Sequence, residues 1–217
     1  MKNYALVLVA LLAIASIVAA FSRNNAQAEP VDTVPKGYDR IPAGSLSLDE
    51  FWAIIDHSAQ FQTDTDLQSA DLHASLMRLS PTQITEFQRM FDQTMRNSYT
   101  WDLWGAAHVA NGGASDDEFE YFRCWLISKG RRTFEQVSSA PDSLADIIGN
   151  DETGHFEFEE FAYLARDAWS EKTGKDRNEM PIIANMAYDA EPKGTPFSEN
   201  PEELQHRFPK LWRRFGG

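Results

Sequence analysis

The chain has 217 residues, of which 33 are acidic and 20 are basic, so its formal net charge is −13 at pH 7. This charge argues against binding nucleic acid through phosphate contacts, which requires clustered Lys and Arg, and it favours cationic partners or metal ions. The only cysteine, Cys124, excludes an intramolecular disulfide. Because it lies on an apolar helix, we expect an inert buried side chain rather than a reactive thiol.

The N-terminus has the pattern of a secretory signal peptide. A basic residue precedes an apolar run over residues 5–21, and Ala26-Gln27-Ala28 follows. Small residues at positions −3 and −1 predict cleavage after Ala28, which makes residues 1–28 the signal peptide. The alternative is an uncleaved anchor, because a run of this length reaches the lower limit for crossing a bilayer. We therefore expect an exported protein, periplasmic or secreted, with membrane attachment only if the segment is not cleaved.

The rest of the chain predicts a tether over residues 29–45 and one helical domain over residues 46–217. The tether contains Pro and Gly without periodic apolar residues, whereas the domain is long enough to bury a full core. Helix starts recur in the domain, and no alternating apolar and polar run accompanies them, so the fold class is all-α. Four starts have a capping residue followed three positions later by Glu or Gln: Ser47 with Glu50, Ser80 with Gln83, Ser115 with Glu118, and Asn200 with Glu203.

Two predicted helices meet at Gly112-Gly113. The glycines end a helix that carries Trp101 and Trp104, because they can adopt positive φ. The next helix starts at Ser115 and is apolar over much of its circumference, which indicates a place in the core with Arg123 at its edge.

A second stretch, residues 149–161, resembles a calcium-binding EF-hand loop. Gly154 occupies the glycine position, and Gly149 stands where the first carboxylate is expected. The alternative is a turn followed by an acidic helix start, without metal. The candidate calcium ligands are Asp151, Thr153, Glu157 and Glu160.

The C-terminal stretch is aromatic and basic. We expect Leu211, Trp212 and Phe215 to dock onto the core, and Arg213 and Arg214 to meet surface carboxylates.

Several motifs together resemble a bacterial family of domains of unknown function, DUF4240. The resemblance implies a compact helical domain and supplies no catalytic residues. This chain departs from the family pattern in its N-terminal leader and in a longer acidic segment at residues 149–160. The motifs that carry the resemblance are Trp101-Asp-Leu-Trp-Gly-Ala-Ala, Gly112-Gly, Ser115-Asp-Asp, Tyr121-Phe-Arg, Trp125-Leu-Ile, Gly130-Arg, Phe134-Glu and Pro141-Asp-Ser-Leu-Ala, with Phe51-Trp, Asp167-Ala-Trp, Glu171-Lys-Thr-Gly, Pro192-Lys-Gly and Phe208-Pro-Lys-Leu-Trp outside the central stretch.

The sequence gives no complete catalytic signature. The five histidines lack metal-ligand spacing, and neither a phosphate-binding glycine loop nor a G-x-S-x-G motif is present. We therefore predict a monomeric binding module for an unknown protein or small molecule, with calcium as the only cofactor considered. The candidate ligand-binding residues are Trp101, Asp102, Trp104, Asp116, Asp117, Tyr121, Arg123 and Arg131.

Three alternatives to this binding module remain open. One is the calcium-stabilised module already described, and another is an enzyme of unknown class that uses Asp102, Asp117 and Arg123. In the third, the aromatic residues form core, the aspartates cap helices, and Arg123 pairs with Asp102 to fix packing.

Overall fold

Helices form nearly all the regular structure in residues 45–149, 155–181 and 191–216, which are the residues that the computed structural model describes. No strand occurs in these ranges, and one isolated parallel bridge joins Thr100 to Lys193. The all-α prediction is confirmed. The α-helices are α1 Leu48–Ser58, α2 Thr65–Leu76, α3 Pro81–Asn97, α4 Trp101–Asn111, α5 Asp116–Ser128, α6 Arg131–Ser139, α7 Leu144–Ile147, α8 Leu164–Thr173, α9 Pro201–Arg207 and α10 Pro209–Phe215.

Single 3₁₀ turns supplement these helices at Ala59–Phe61, Pro141–Ser143, Glu159–Ala162 and Arg177–Glu179. None of the helices in the described ranges is long and apolar enough to cross a bilayer. The predicted signal peptide and nearly all of the tether lie outside the described residues, so cleavage and export remain predictions.

Three of the four predicted capping boxes are present as reciprocal hydrogen bonds, at Ser47, Ser80 and Ser115. The fourth prediction is only half right. Asn200 caps α9 by accepting hydrogen bonds from the backbone N–H groups of Glu202 and Glu203. The Glu203 carboxylate does not return to Asn200, because it accepts hydrogen bonds from Ser198, at 3.1 Å from the backbone N–H and 2.5 Å from the hydroxyl.

Helix α5 is central to the packing of the domain. It contacts α1, α3, α4 and α6, and eight of its 13 residues are buried. The predicted apolar stripe on α3 faces the same core, since Ile84, Phe87, Phe91 and Met95 are each at most 4% exposed. Cys124 on α5 is fully buried, and burial raises the pKa of its thiol to about 12. The thiol therefore stays protonated at neutral pH, as expected for an inert cysteine.

The C-terminal helix α10 packs against α4 and α7. Leu211 is fully buried, and the ring of Phe215 meets that of Phe156 edge-on at 6.0 Å, so docking of this stretch is confirmed. The prediction that Arg214 pairs with a carboxylate is wrong. Its guanidinium donates instead to backbone carbonyls, at 3.1 Å to Ala145, at 2.6 Å to Ile148 and also to Gly149.

Candidate functional site

Four aromatic rings form a stack that runs from the core to the surface between α4 and α5. Trp101 and Trp104 lie on one side of α4 because they are three residues apart. Their ring centroids are 5.2 Å apart with planes only 8° apart, and Trp104 lies 5.0 Å from Phe119 with planes 12° apart. Phe122 follows at 6.5 Å from Phe119. We call Trp101, Trp104, Phe119 and Phe122 the aromatic stack.

The exposure of the rings changes along the aromatic stack. Phe119 and Phe122 are fully buried, whereas Trp104 and Trp101 are half-buried. The indole N–H of Trp104 donates to the carbonyl of Ala114 at 2.9 Å, which satisfies its only donor. The inner rings therefore belong to the core, and the outer pair forms part of the surface.

Carboxylates lie close to the half-buried Tyr99, which flanks the aromatic stack with its centroid 6.1 Å from that of Phe119. The pKa of Tyr99 is raised, first by burial, then by the charge of Asp116, and less strongly by that of Glu191. Arg123 acts in the opposite direction but has a smaller effect than Asp116. Asp116 and Glu191 therefore lie near enough to Tyr99 to disfavour its charged form.

Residues 191–197 lie against the start of α4, and we call them the covering segment. The backbone of Lys193 donates to the Tyr99 carbonyl at 3.0 Å and accepts from the Trp101 N–H at 2.9 Å. The ring of Phe197 meets the Trp101 ring at 6.1 Å with planes 71° apart, and it lies 5.4 Å from the His108 ring. Phe197 is therefore an edge-on wall beside the outermost ring of the aromatic stack.

Asp102 forms an ion pair with Arg207 rather than with Arg123, so the predicted Asp102–Arg123 pair is wrong. The Asp102 Oδ1 atom accepts from Nη2 of Arg207 at 2.6 Å and from Nε at 2.9 Å. The same guanidinium donates to the carbonyls of Thr195 at 2.6 Å and Pro196 at 3.1 Å. Arg207 thus joins α4 and α9 to the covering segment.

Arg123 is only 2% exposed, so its predicted place at the edge of α5 is wrong. Its guanidinium donates to the carbonyls of Met95 at 2.8 Å and Phe119 at 3.3 Å. It also lies 5.0 Å from the Tyr99 ring centroid and 4.7 Å from that of Phe119. A guanidinium is therefore already held against aromatic rings at the inner end of the site.

Arg131 has its described contacts in another part of the domain. Its guanidinium pairs with Asp49 and Glu135, each at 2.7 Å. Its backbone N–H donates to the Asp56 carboxylate at 2.7 Å, because Gly130 at the start of α6 has no side chain with which to cap the helix. A shallow surface cavity of about 480 Å³ lies here, lined by Asp56, Arg131, Arg132, Glu135, Gln136 and Ser139. Among the described contacts, none joins Arg131 to the aromatic stack.

The remaining candidates lie along α5. Asp116 and Asp117 are exposed in its first turn, where their charge complements the helix dipole. Tyr121 is half-buried, and the pKa of its hydroxyl is raised by burial, by Glu159 and then by Asp117. Its backbone carbonyl accepts from Phe158 at 3.1 Å. Asp102 pairs with Arg207 and Arg123 donates to Met95 and Phe119, and none of the described hydrogen bonds or ion pairs joins Asp102, Asp117 and Arg123 to one another.

The predicted calcium loop is described only in part, because Asp151 and Thr153 lie outside the described residues. Glu157 is half-buried, and Glu160 is exposed within the Glu159–Ala162 turn. The backbone N–H of Phe156 donates to Asn111 Oδ1 at 3.0 Å. Within the described ranges no group of three His, Cys, Asp or Glu is placed to hold a metal ion. The calcium site stays a prediction.

The model of a protein family of unknown function (DUF4240) matches residues 47–171. The chain belongs to the DUF4240 family. This confirms the resemblance for the motifs that lie within residues 47–171, whereas Pro192-Lys-Gly and Phe208-Pro-Lys-Leu-Trp follow the match. The DUF4240 match includes α1 to α7 and most of α8, and it ends before the covering segment, α9 and α10. No curated protein and no solved structure matches the chain.

Phe197 and Arg207 belong to this site although no sequence pattern indicated them. Both are about a hundred residues from α4, and neither stands in a motif whose spacing points to Trp101 or Asp102. Only the motif Pro192-Lys-Gly, noted for its resemblance to the family, lies within the covering segment.

Proposed function

We propose that this DUF4240 domain is a binding module that holds an alkylammonium or guanidinium group against the outer rings of the aromatic stack. The proposal rests on one observation. The aromatic stack ends at half-buried Trp101, and the charges of Asp116 and Glu191 act on Tyr99, which flanks the aromatic stack. A cation is attracted to the face of an indole ring, and nearby carboxylates add to this attraction.

The rest of the molecule is consistent with a cationic ligand. The net charge of −13 attracts cations at long range. The Arg123 guanidinium already lies against the Tyr99 and Phe119 rings, which is the same chemistry at the inner end of the site. A group of this kind occurs in small quaternary amines and in the Lys or Arg side chains of a protein partner.

The test is a titration of residues 29–217 with choline. The neutral isostere 3,3-dimethylbutan-1-ol serves as the matched ligand, because it has the same shape without the charge. We expect choline to shift the ¹⁹F NMR signal of 5-fluorotryptophan at position 101 and to bind roughly 3- to 30-fold more tightly than the isostere. Equal affinity for both ligands, or no shift with either, would contradict the proposal.

Two variants make the assignment specific. Trp101→Ala removes the outermost ring, so we expect choline binding to be lost while the domain stays folded. Tyr163→Ala is the control, because Tyr163 is a large exposed aromatic side chain, 38% exposed, that precedes α8. Choline binding by the Tyr163 variant is measured by the shift of the 5-fluorotryptophan signal at position 101. Loss of this shift in the Tyr163 variant would place the ligand elsewhere.

We further propose that the module acts outside the cytoplasm after cleavage behind Ala28, on the basis of the N-terminal pattern. Expression of the full chain followed by N-terminal sequencing of the exported protein tests this. We expect Glu29 as the first residue, and recovery of the uncleaved chain in the membrane fraction would support the anchored alternative.

A further inference from the structure

We infer that Arg207 sets the size of the ligand that the site accepts, by holding the covering segment so that Phe197 stands against Trp101. This inference rests on the proposed function for its ligand, but not for its structural part. Arg207, Phe197 and Lys193 all lie outside residues 47–171, which the family model matches. The outer wall of the site is thus supplied by a part of the chain that follows the matched region.

The guanidinium of Arg207 is suited to this role because its donors point in several fixed directions. Two of its nitrogen atoms meet one oxygen of Asp102 on α4. The donors Nη1 and Nη2 reach the carbonyls of Pro196 and Thr195, the two residues before Phe197. Its side chain is only 19% exposed, whereas that of Asp102 is 57% exposed. One arginine therefore fixes the backbone immediately before the wall residue relative to α4.

Other contacts fix the two sides of the covering segment. On one side, the backbone of Lys193 forms two hydrogen bonds with Tyr99 and Trp101. On the other side, Ser198 follows Phe197 and donates to Glu203. Between these points the side chains of Lys193, Thr195 and Pro196 are exposed. The ring contacts of Phe197 with Trp101 and His108 place its side chain, and Arg207 is the group that holds the exposed backbone before it.

Phe197 limits the space beside Trp101 because its ring meets Trp101 edge-on. A small ammonium group fits against a ring face bordered in this way, whereas a bulky one collides with the wall. Loss of the Arg207 contacts lets the wall move away and relaxes this selection.

The experiment compares the wild-type chain, residues 29–217, with Arg207→Gln and Arg207→Lys. Lysine keeps the charge but cannot reach three acceptors with one planar group. The matched control is Arg177→Gln, which breaks another exposed pair, Arg177 with Asp167 at 3.2 Å. Two readouts need no ligand. One is amide hydrogen exchange at Lys193 and Trp101. The other is the ¹⁹F signal of 5-fluorotryptophan at position 101, which is assigned by its loss in Trp101→Phe. A third is the ratio of affinities for tetramethylammonium and tetrapropylammonium.

We expect exchange at the two amides to rise about tenfold in Arg207→Gln, and the Trp101 signal to shift, without either change in the Arg177 control. In Arg207→Lys the exchange rises by a smaller factor. The preference for tetramethylammonium falls by at least about threefold in Arg207→Gln. A melting curve for each variant shows that the domain is still folded.

The outcomes separate this inference from the proposed function. Unchanged exchange and an unchanged Trp101 signal in Arg207→Gln would overturn the role of Arg207, whatever the protein binds. Raised exchange in a chain that binds neither ammonium probe would leave Arg207 as the residue that holds Phe197, but would overturn both the selection and the proposed function. Raised exchange with an unchanged affinity ratio would overturn the selection alone.

Discussion

An arginine lies at each end of the aromatic stack, and the two arginines differ in burial and in structural role. Arg123 at the inner end is 2% exposed and donates to the carbonyls of Met95 and Phe119. Arg207 at the outer end is part-exposed and pairs with the exposed Asp102. Burial removes water as an alternative partner, so the inner contacts support the fold. The outer contacts compete with water and can only position a surface segment.

The largest effect should follow from Arg123→Leu, which tests whether the inner end is structural. The substitution removes two hydrogen bonds from a buried charged group and its contacts with the Tyr99 and Phe119 rings, so we expect a loss of about 3 kcal/mol in the free energy of unfolding. Urea denaturation followed by circular dichroism measures it. Arg89→Leu is the control, because the ion pair described for Arg89 is with its i−3 neighbour Glu86 on the surface of α3. Equal losses in the two variants would show that the buried contacts of Arg123 stabilise the domain no more than an exposed ion pair does.

Gly105→Ala should disturb the packing beside the outer end by a smaller amount. A Cβ atom at this position would lie 2.7 Å from the Phe208 ring and 3.2 Å from that of Phe197. The crowding costs roughly 1–3 kcal/mol, and the gain of about 1 kcal/mol in helix propensity offsets part of it. We expect a net loss of about 1 kcal/mol in urea denaturation.

A second substitution tests the cause of that loss. Phe208→Leu frees space at the closest contact, so the double variant with Gly105→Ala should lose less stability than the sum of the two single variants. Simple additivity would show that crowding against Phe208 is not the cause.

Asp102→Asn tests the outer end directly. The ion pair with Arg207 is screened by solvent, so we expect the free energy of unfolding to change by less than about 1 kcal/mol. Differential scanning calorimetry of the variant and the wild type measures this difference. A large loss in the free energy of unfolding would instead show that Asp102 stabilises the packing of the fold, and it would contradict a role for Asp102 at the binding site.

Acid should loosen the outer end before the inner end. The Ser198 hydroxyl and N–H hold the pKa of Glu203 below its ordinary value. Because the folded state lowers this pKa, the contribution to stability is present above the ordinary value and is lost as pH falls through the lowered one. We therefore expect amide exchange at Ser198, corrected for its intrinsic pH dependence, to rise as pH falls through the lowered pKa of Glu203. In Glu203→Gln we expect this exchange to be raised already and to show no such rise. A pH-independent wild type would show that Glu203 does not hold this segment.

Calcium should have no effect if the outer end is the binding region. The carbonyl of Gly149, at the start of the predicted loop, accepts a hydrogen bond from Arg214, whose positive charge opposes a second cation there. We therefore expect the melting temperature of metal-stripped protein to be unchanged by 1 mM calcium. A site with a dissociation constant near 10 μM would add about 2.7 kcal/mol under these conditions. A rise of several degrees that magnesium does not reproduce, and that Glu160→Gln abolishes, would move the functional region to residues 149–160.

The sequence by itself determined the local elements and the composition of the core. Capping residues at Ser47, Ser80 and Ser115 act within four residues of themselves, and the stripe on α3 follows from helical spacing alone. The stacking of Trp101 on Trp104 is also local, since both lie on one side of α4. For this reason the all-α fold and half of the aromatic stack could be predicted without tertiary structure.

Only the tertiary structure decided which charged groups meet. Asp102 could pair with any nearby arginine, and its partner is Arg207 because α9 and the covering segment lie against α4. Arg123 was expected at a helix edge, but the helix that carries it is enclosed by α1, α3, α4 and α6. Arg214 meets backbone carbonyls because α10 ends beside the last turn of α7. These contacts join residues far apart in the chain, and no local pattern encodes which distant partner the packing brings within hydrogen-bond distance.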